Sequence, residues 1–283
     1  MITWPENYQC ALAISWDIDA ESGLKYRYPD GVDDMAAVLS QLQFGPLVGV
    51  PNIVKLLKKY NLQQTFFMPG WVMEHYPETV ELLMSSDQEI GLHGYLHERL
   101  NDYDKKEEEA IIDRSLAAYY SAVGELPLGW RSPGFSSSRH TSQFLFDKGI
   151  TYDSSLMGDD YPYLMGTDDA HLMQFPVNWA LDDWPYYMHS REFGVLSPIH
   201  APERMMEVFW SELEAAYANG GLVTTIWHPF LSGRASRLVA IEAMLEKVLE
   251  RGDIWVTSLK NIHEHLASSR QDGAWKPRVL ALS

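Results

Sequence analysis

The sequence predicts an α/β fold, a parallel sheet closed into an irregular (β/α) barrel, on three observations. Short apolar segments rich in β-branched and aromatic residues alternate with amphipathic helical patterns along the chain, as in a parallel sheet covered by helices. No repeat, low-complexity tract or Gly/Ser linker divides the 283 residues, so 1–283 reads as a single domain. Seven or eight strand–helix units favour closure over an open doubly wound sheet, and no G-x-G-x-x-G follows the first strand, which weakens a dinucleotide-binding alternative.

In order, strands are expected at 11–19, 65–70, 89–93, 129–133, 152–156, 172–178, 223–228 and 254–258, each short and bounded by Gly, Pro, Asn or Asp. Helices are expected between them. In 50–60, Val50, Ile53, Val54, Leu56 and Leu57 fall on one face and Lys55, Lys58 and Lys59 on the other. Segments 76–86, 104–123, 202–219 and 236–251 repeat that pattern, and Gly220–Gly221 supplies a helix stop. Three segments resist it: 21–49, 157–171 and 180–201. Loops of this length in a compact domain serve as lids, binding loops or oligomer contacts. In a barrel they belong on the rim at the strand C-terminal ends, where chemistry is carried.

Composition narrows the function. Hydrophobic residues make up 46% and charged residues 22%, an ordinary globular mix, while 22 Lys and Arg against 39 Asp and Glu give a net charge of −17. Such a surface repels phosphate backbones and anionic headgroups, so no nucleic-acid partner and no membrane is expected. The N-terminus MITWPENYQC lacks a basic stretch and apolar core, and no run reaches the roughly 18 apolar residues of a membrane span. A soluble, cytoplasmic protein is expected. Cys10, the single cysteine, excludes an internal disulfide.

Chemistry-bearing residues cluster at the expected strand ends. Asp17 and Asp19 close the first strand in W-D-I-D, and side chains at i and i+2 share a face. H-G-Y-L-H-E after the third strand places His93 and His97 four apart; on a helical turn both imidazoles would face one side. Arg131, in W-R-S-P-G-F, needs a buried carboxylate partner on so apolar a strand. Asn178, Trp179, Asp182, Asp183 and Trp184 form a polar–aromatic cluster, and His228 ends the seventh strand at a general-acid position. His75, His140, His171, His189, His200, His263 and His265 read as structural. Neither a G-x-S-x-G elbow nor a placement of Cys10 near the aspartates supports a nucleophilic scheme.

This ordered set resembles the polysaccharide deacetylase (NodB-homology) superfamily, carbohydrate esterase family 4, over residues 11–229. The resemblance implies a distorted (β/α)7 barrel, with Asp19, His93 and His97 as metal ligands and Asp17 as catalytic base. It implies that Arg131 orients Asp17, that Asp182 or Asp183 tunes Arg131, and that His228 is the general acid. The cofactor implied is zinc, or another divalent ion such as cobalt, manganese or nickel. Three departures stand out: Ile18 separates the usually adjacent aspartates, Gly94 replaces a Ser or Thr, and Gly134 precedes Phe135. These variants look like the intracellular branch of peptidoglycan deacetylase-like enzymes, cyclic imide hydrolases and metal-free allantoinases. The last carry Trp where this chain keeps His97.

The expected reaction is metal-assisted hydrolysis of a non-peptide carbon–nitrogen amide bond. Phe135, Trp179 and Trp184, with Trp71, are expected to line the substrate pocket, stacking on either a sugar face or a small planar ring. The substrate is then an N-acetylated sugar or a small cyclic imide. A non-catalytic metal- or carbohydrate-binding barrel would not require Asp17, Arg131 and His228. The partly apolar 21–49 insertion leads to the expectation of a homo-oligomer.

Overall fold

The computed structural model describes residues 2–167 and 170–281. Its strands are β1 (Cys10–Asp17), β2 (Thr65–Met68), β3 (Glu89–Leu92), β4 (Gly129–Trp130), β5 (Tyr152–Asp153), β6 (Tyr163–Thr167), β7 (Ala170–Gln174), β8 (Leu222–Trp227), β9 (Ile254–Val256) and β10 (Val279–Leu280). They form one sheet in the order β10-β6-β7-β5-β4-β3-β2-β1-β8, with β9 paired to the start of β1. Every ladder is parallel except β6–β7.

The wall curls until the chain beyond β7 meets β8 through one bridge, Asp182 to Ile226, and the Asp183 N–H donates to the Ile226 carbonyl at 3.0 Å. Strands β1 to β5, β7 and β8 are thus the staves of a distorted seven-stranded barrel whose last seam is barely stitched.

Strand β1 shows why these residues make a central stave. All eight of its residues are buried, as the doubly covered strands of parallel sheets are. Leu12, Ile14 and Trp16 pack into the cluster under the helices, while Ala11 and Ala13 face a second cluster that includes Phe67, Tyr152 and Phe175. Those rings, with Tyr152 and Phe175 centroids 5.1 Å apart, plug the barrel interior. Small side chains on β1 leave them room.

Eight expected strands are present, most of them shorter than the spans read from sequence. The ladder runs one bond past several strand ends, as in His93 N–H to Met68 carbonyl and Arg131 N–H to Leu92 carbonyl, and the chain then turns into the rim. The reading of 157–171 as a long loop is corrected: β6 lies within it and hairpins with β7. Residues 168–169 of that segment lie outside the described residues.

The segment 21–49 also proves mostly helical. After Ser22–Arg27, the helix Ala36–Phe44 passes through a π turn, Gly45–Gly49, directly into Val50–Lys59. Pro46 and Pro51, which read as breakers in sequence, sit at starts of the π turn and of the segment after it, where their missing N–H groups are tolerated. The continuous helix Ala36–Lys59 has 24 residues and a window of mean hydropathy 1.2, so by length and composition it could cross a membrane. This corrects the expectation that no such segment exists. In the fold Val38, Leu42, Val50, Ile53, Val54 and Leu57 are buried in the barrel's outer core.

That helix abuts the turn after β8. A Cβ built on Gly49 would lie 2.4 Å from the Pro229 carbonyl oxygen, closer than any side chain tolerates. Gly49→Ala is expected to lower unfolding stability by about 1–3 kcal/mol, the usual cost of overpacking. A lower midpoint in chemical denaturation checks this; an unchanged midpoint would show that the turn yields freely.

Candidate active site

The expected residues meet at the C-terminal ends of the staves. Asp17 is the last residue of β1, and Asp19 follows after Ile18, whose side chain enters the outer core. Both carboxylates are buried, Asp19 with 6% of its surface exposed.

Arg131, just past β4, is fully buried and makes hydrogen bonds from all three of its guanidinium nitrogens. Its Nη1 donates to Asp17 Oδ1 at 2.7 Å and to Ser15 Oγ at 2.8 Å. Its Nε donates to the Ser154 carbonyl at 2.9 Å and its Nη2 to Ser154 Oγ at 2.8 Å. The guanidinium lies 4.2 Å from the Phe67 ring centroid. A buried cation needs this degree of pairing, and the arrangement fixes Asp17 with its second oxygen left over.

His93 follows β3. Its Nδ1 lies 2.7 Å from the Arg131 carbonyl, which only accepts, so Nδ1 carries the proton and Nε2 offers a lone pair. Nε2 faces Asp19 Oδ1 at 3.4 Å and Asp17 Oδ2 at 3.8 Å. Burial depresses the pKa of His93, against the raising influence of Asp17 and Asp19.

The link to His97 is not the helical turn expected from the four-residue spacing. It is an irregular loop with Gly94 at φ +70° and His97 itself at φ +61°. A Cβ on Gly94 would lie 2.9 Å from Pro133, so glycine meets both a conformational and a steric demand. The Glu98 carboxylate accepts the N–H groups of Tyr95 and Leu96 at 3.1 and 2.7 Å and holds the loop. The outcome matches the intended one: His97 Nε2 lies 3.5 Å from Asp19 Oδ2, with its ring 5.1 Å from that of His93.

His228, immediately after β8, completes the ring around Asp19, with Nε2 3.6 Å from Asp19 Oδ2. Its Nδ1 is 2.6 Å from Asp183 Oδ1, and its backbone N–H donates to Asp183 Oδ2 at 3.0 Å. Ser232 Oγ also donates to Asp183 Oδ2. Burial disfavours the charged imidazole, but Asp183, Asp19 and Asp182 outweigh it and push His228 up to about 10. For Asp19 burial acts upward, and His97, His228, His93 and Arg131 together hold it below the ordinary carboxylate range.

One assignment is corrected. Neither Asp182 nor Asp183 hydrogen-bonds to Arg131. The bridge of Asp182 to Ile226 raises this acid pair beside β8, so Asp183 holds His228, while Ser15 and Ser154 complete the arginine's bonding.

A metal fits the donor set. One ligand atom each from Asp19, His93 and His97 lies within 4.8 Å of the others. Asp19 Oδ1 is buried with no hydrogen-bond partner, an unfavourable state unless a cation satisfies it. Asp182, Asp183 and His228 pass the same distance test, but both oxygens of Asp183 are committed to hydrogen bonds.

Above these groups is a cavity of about 140 Å³ walled by Phe135, Trp179 and Trp184. Gly134 and Phe135 are both left-handed, at φ +55° and +56°. Such strain in a non-glycine residue is tolerated where it serves a site. Phe135 meets the half-exposed Trp179 edge-on at 4.8 Å, and Trp184 packs 5.6 Å from the His228 ring. Trp71 stacks on His75 at 3.8 Å and is not part of the cavity wall.

Sequence reasoning missed Ser15, Ser154, Glu98 and Ser232, and also the buried Glu21, which receives Tyr76 Oη at 2.7 and 2.8 Å and Gln43 Nε2 at 2.9 Å. The Ser154–Ser155 pair at a strand end was the one available signal.

The chain is similar to known proteins over most of its length. Residues 33–152 match the polysaccharide deacetylase family model. A Helicobacter pylori peptidoglycan deacetylase is 30% identical over 276 residues, covering 87% of this chain and 92% of that protein. A crystal structure assigned as a polysaccharide deacetylase from Mycobacterium smegmatis superposes with a TM-score of 0.93 at 35% identity, over 100% of this chain and 97% of that one. The PuuE allantoinase structure, 19% identical with a TM-score of 0.82 over 94% and 93% of the two chains, shares the fold. Identity at this level along nearly the whole length of the bacterial relative shows that the chain belongs to the polysaccharide deacetylase family, hydrolases of carbon–nitrogen bonds other than peptide bonds.

Proposed function

We propose that this protein is a metal-dependent deacetylase whose substrate is an N-acetylated amino sugar. The observation that carries the reading is the convergence of Asp19, His93 and His97 around the unpartnered Asp19 Oδ1, flanked by an arginine-held carboxylate and an aspartate-held imidazole. A divalent cation held by these three residues would polarise the amide carbonyl and lower the pKa of a nearby water from 15.7 to about 7. The two-nitrogen, one-oxygen donor set suits zinc and is also open to cobalt, manganese and nickel.

The chain's own groups divide the proton work. Asp17 Oδ1 is occupied by Arg131, which leaves Oδ2 to accept the proton of the attacking water. Arg131 itself exchanges no proton; it fixes the carboxylate's direction. His228 keeps Nδ1–H on Asp183 and directs Nε2–H toward the ring of donors, where it gives its proton to the departing nitrogen. Phe135, Trp179 and Trp184 exclude water and offer flat faces to the substrate.

Asp19→Ala is expected to lose both bound cation and turnover, whereas Asp17→Asn keeps the cation and loses about 10²–10⁴-fold in kcat, the worth of a positioned base. Elemental analysis beside initial rates separates the two. Full activity in Asp17→Asn would remove it as the base.

The cavity's small volume favours a second reading, a small cyclic amide held between the same rings. Purified protein assayed with N-acetylglucosamine oligomers and with succinimide-type rings decides between them. Acetate release from the oligomers is the expected result, and ring opening alone would replace the first reading with the second.

A further inference from the structure

That mechanism leaves one buried carboxyl of the cavity without a task. Asp182 is only 3% exposed. Its Oδ1 accepts the Trp184 N–H at 2.7 Å and stands 3.9 Å from His228 Nδ1. Its Oδ2 takes no hydrogen bond from any described residue, and the side chain borders the catalytic cavity. The Asx-type bond to the Trp184 N–H, just ahead of the short Trp184–Tyr187 helix, needs one oxygen, and a neutral side chain could supply it. The second oxygen has no donor among the described residues and belongs to a side chain that borders the cavity, so it is free to accept from a molecule bound there. Burial, reinforced by Asp183 and Asp17 and opposed by His228, pushes Asp182 up to about 7.

The partner is constrained by what must happen beside it. His228 can protonate the leaving nitrogen only if that nitrogen turns its lone pair toward Nε2. A hydrogen on the same nitrogen then points elsewhere in the cavity, and an acceptor next to His228 would fix that direction. We propose that Asp182 Oδ2 accepts the N–H of the scissile amide, so that the site takes amides whose nitrogen carries a hydrogen and refuses N-alkylated ones. Asp182 gives up and gains no proton; it is a specificity-determining group that touches the substrate. This rests on the amide-hydrolase reading above and holds for an acetamido sugar and for an unsubstituted cyclic imide alike.

The test compares wild type, Asp182→Asn and Asp182→Ala on matched pairs: an N-acetylglucosamine oligomer with its N-methylacetamido counterpart, and succinimide with N-methylsuccinimide. In Asp182→Asn the amide oxygen must stay on the Trp184 N–H, which turns the NH₂ group, a donor, into the cavity. Wild type is expected to prefer the N–H member by at least about tenfold in kcat/KM, as sites built around a substrate hydrogen bond do. Asp182→Asn should lose at least about tenfold on the N–H member, mainly through KM, and less on the N-methyl member, with its bound-cation content at the wild-type level. Asp182→Ala should lose the preference as well. Equal wild-type turnover of both members overturns the proposal even if neither variant folds, as does an Asp182→Asn enzyme that keeps the preference. Wild type hydrolysing no amide would overturn the hydrolase reading together with it.

Discussion

Two carboxylates stand two residues apart at the end of a fully buried strand. Removing both from water is unfavourable unless each negative charge is compensated. The structure compensates them separately. Asp17 is given Arg131, whose other hydrogen bonds go to Ser15 and Ser154. Asp19 is given no hydrogen-bond donor at Oδ1 and is encircled instead by three imidazoles. The rest of the site follows from that asymmetry: one carboxylate is held as a base, and the other is left able to bind a cation.

The barrel makes the asymmetry possible. Its interior is plugged low down by Phe67, Tyr152 and Phe175, so polar groups at the strand ends rest on a dry floor where charge pairing is strong. The seam between β7 and β8 is the structure's least regular wall, a single bridge, and that irregularity has a use. It brings Asp182 and Asp183 up against His228, and two acids adjacent in sequence acquire different surroundings. Asp183 is saturated with donors, whereas Asp182 has an oxygen to spare.

Much of this was legible in the sequence because strand ends carry the chemistry in a barrel, and alternation of strand and helix locates those ends. The W-D-I-D, H-G-Y-L-H and L-V-T-T-I-W-H stretches each terminate a recognisable apolar run, so the grouping of Asp17, Asp19, His93, His97 and His228 needed only the topology. Other features were hidden for physical reasons. Strand β6 is Y-L-M-G-T, with a glycine inside it, and its antiparallel course breaks the βαβ rhythm. The part of the helix before Val50 was masked by Gly45, Pro46 and Gly49, which sequence rules read as interruptions and the π turn absorbs. The donors to Arg131 and the loop clamp Glu98 are common residue types whose roles exist only in three dimensions. The partner of Asp183 depended on which stave the chain bridges after β7, and no local pattern encodes that.

The claim on which everything turns is that the three donors share one ion. Anomalous diffraction from zinc-loaded crystals tests it most directly. A single peak at bonding distance from an Asp19 oxygen and from the Nε2 atoms of His93 and His97 is the outcome this account requires. A peak seated on Asp182, Asp183 and His228 instead, or none between Asp19 and the two histidines in a protein that hydrolyses its substrate, would contradict it.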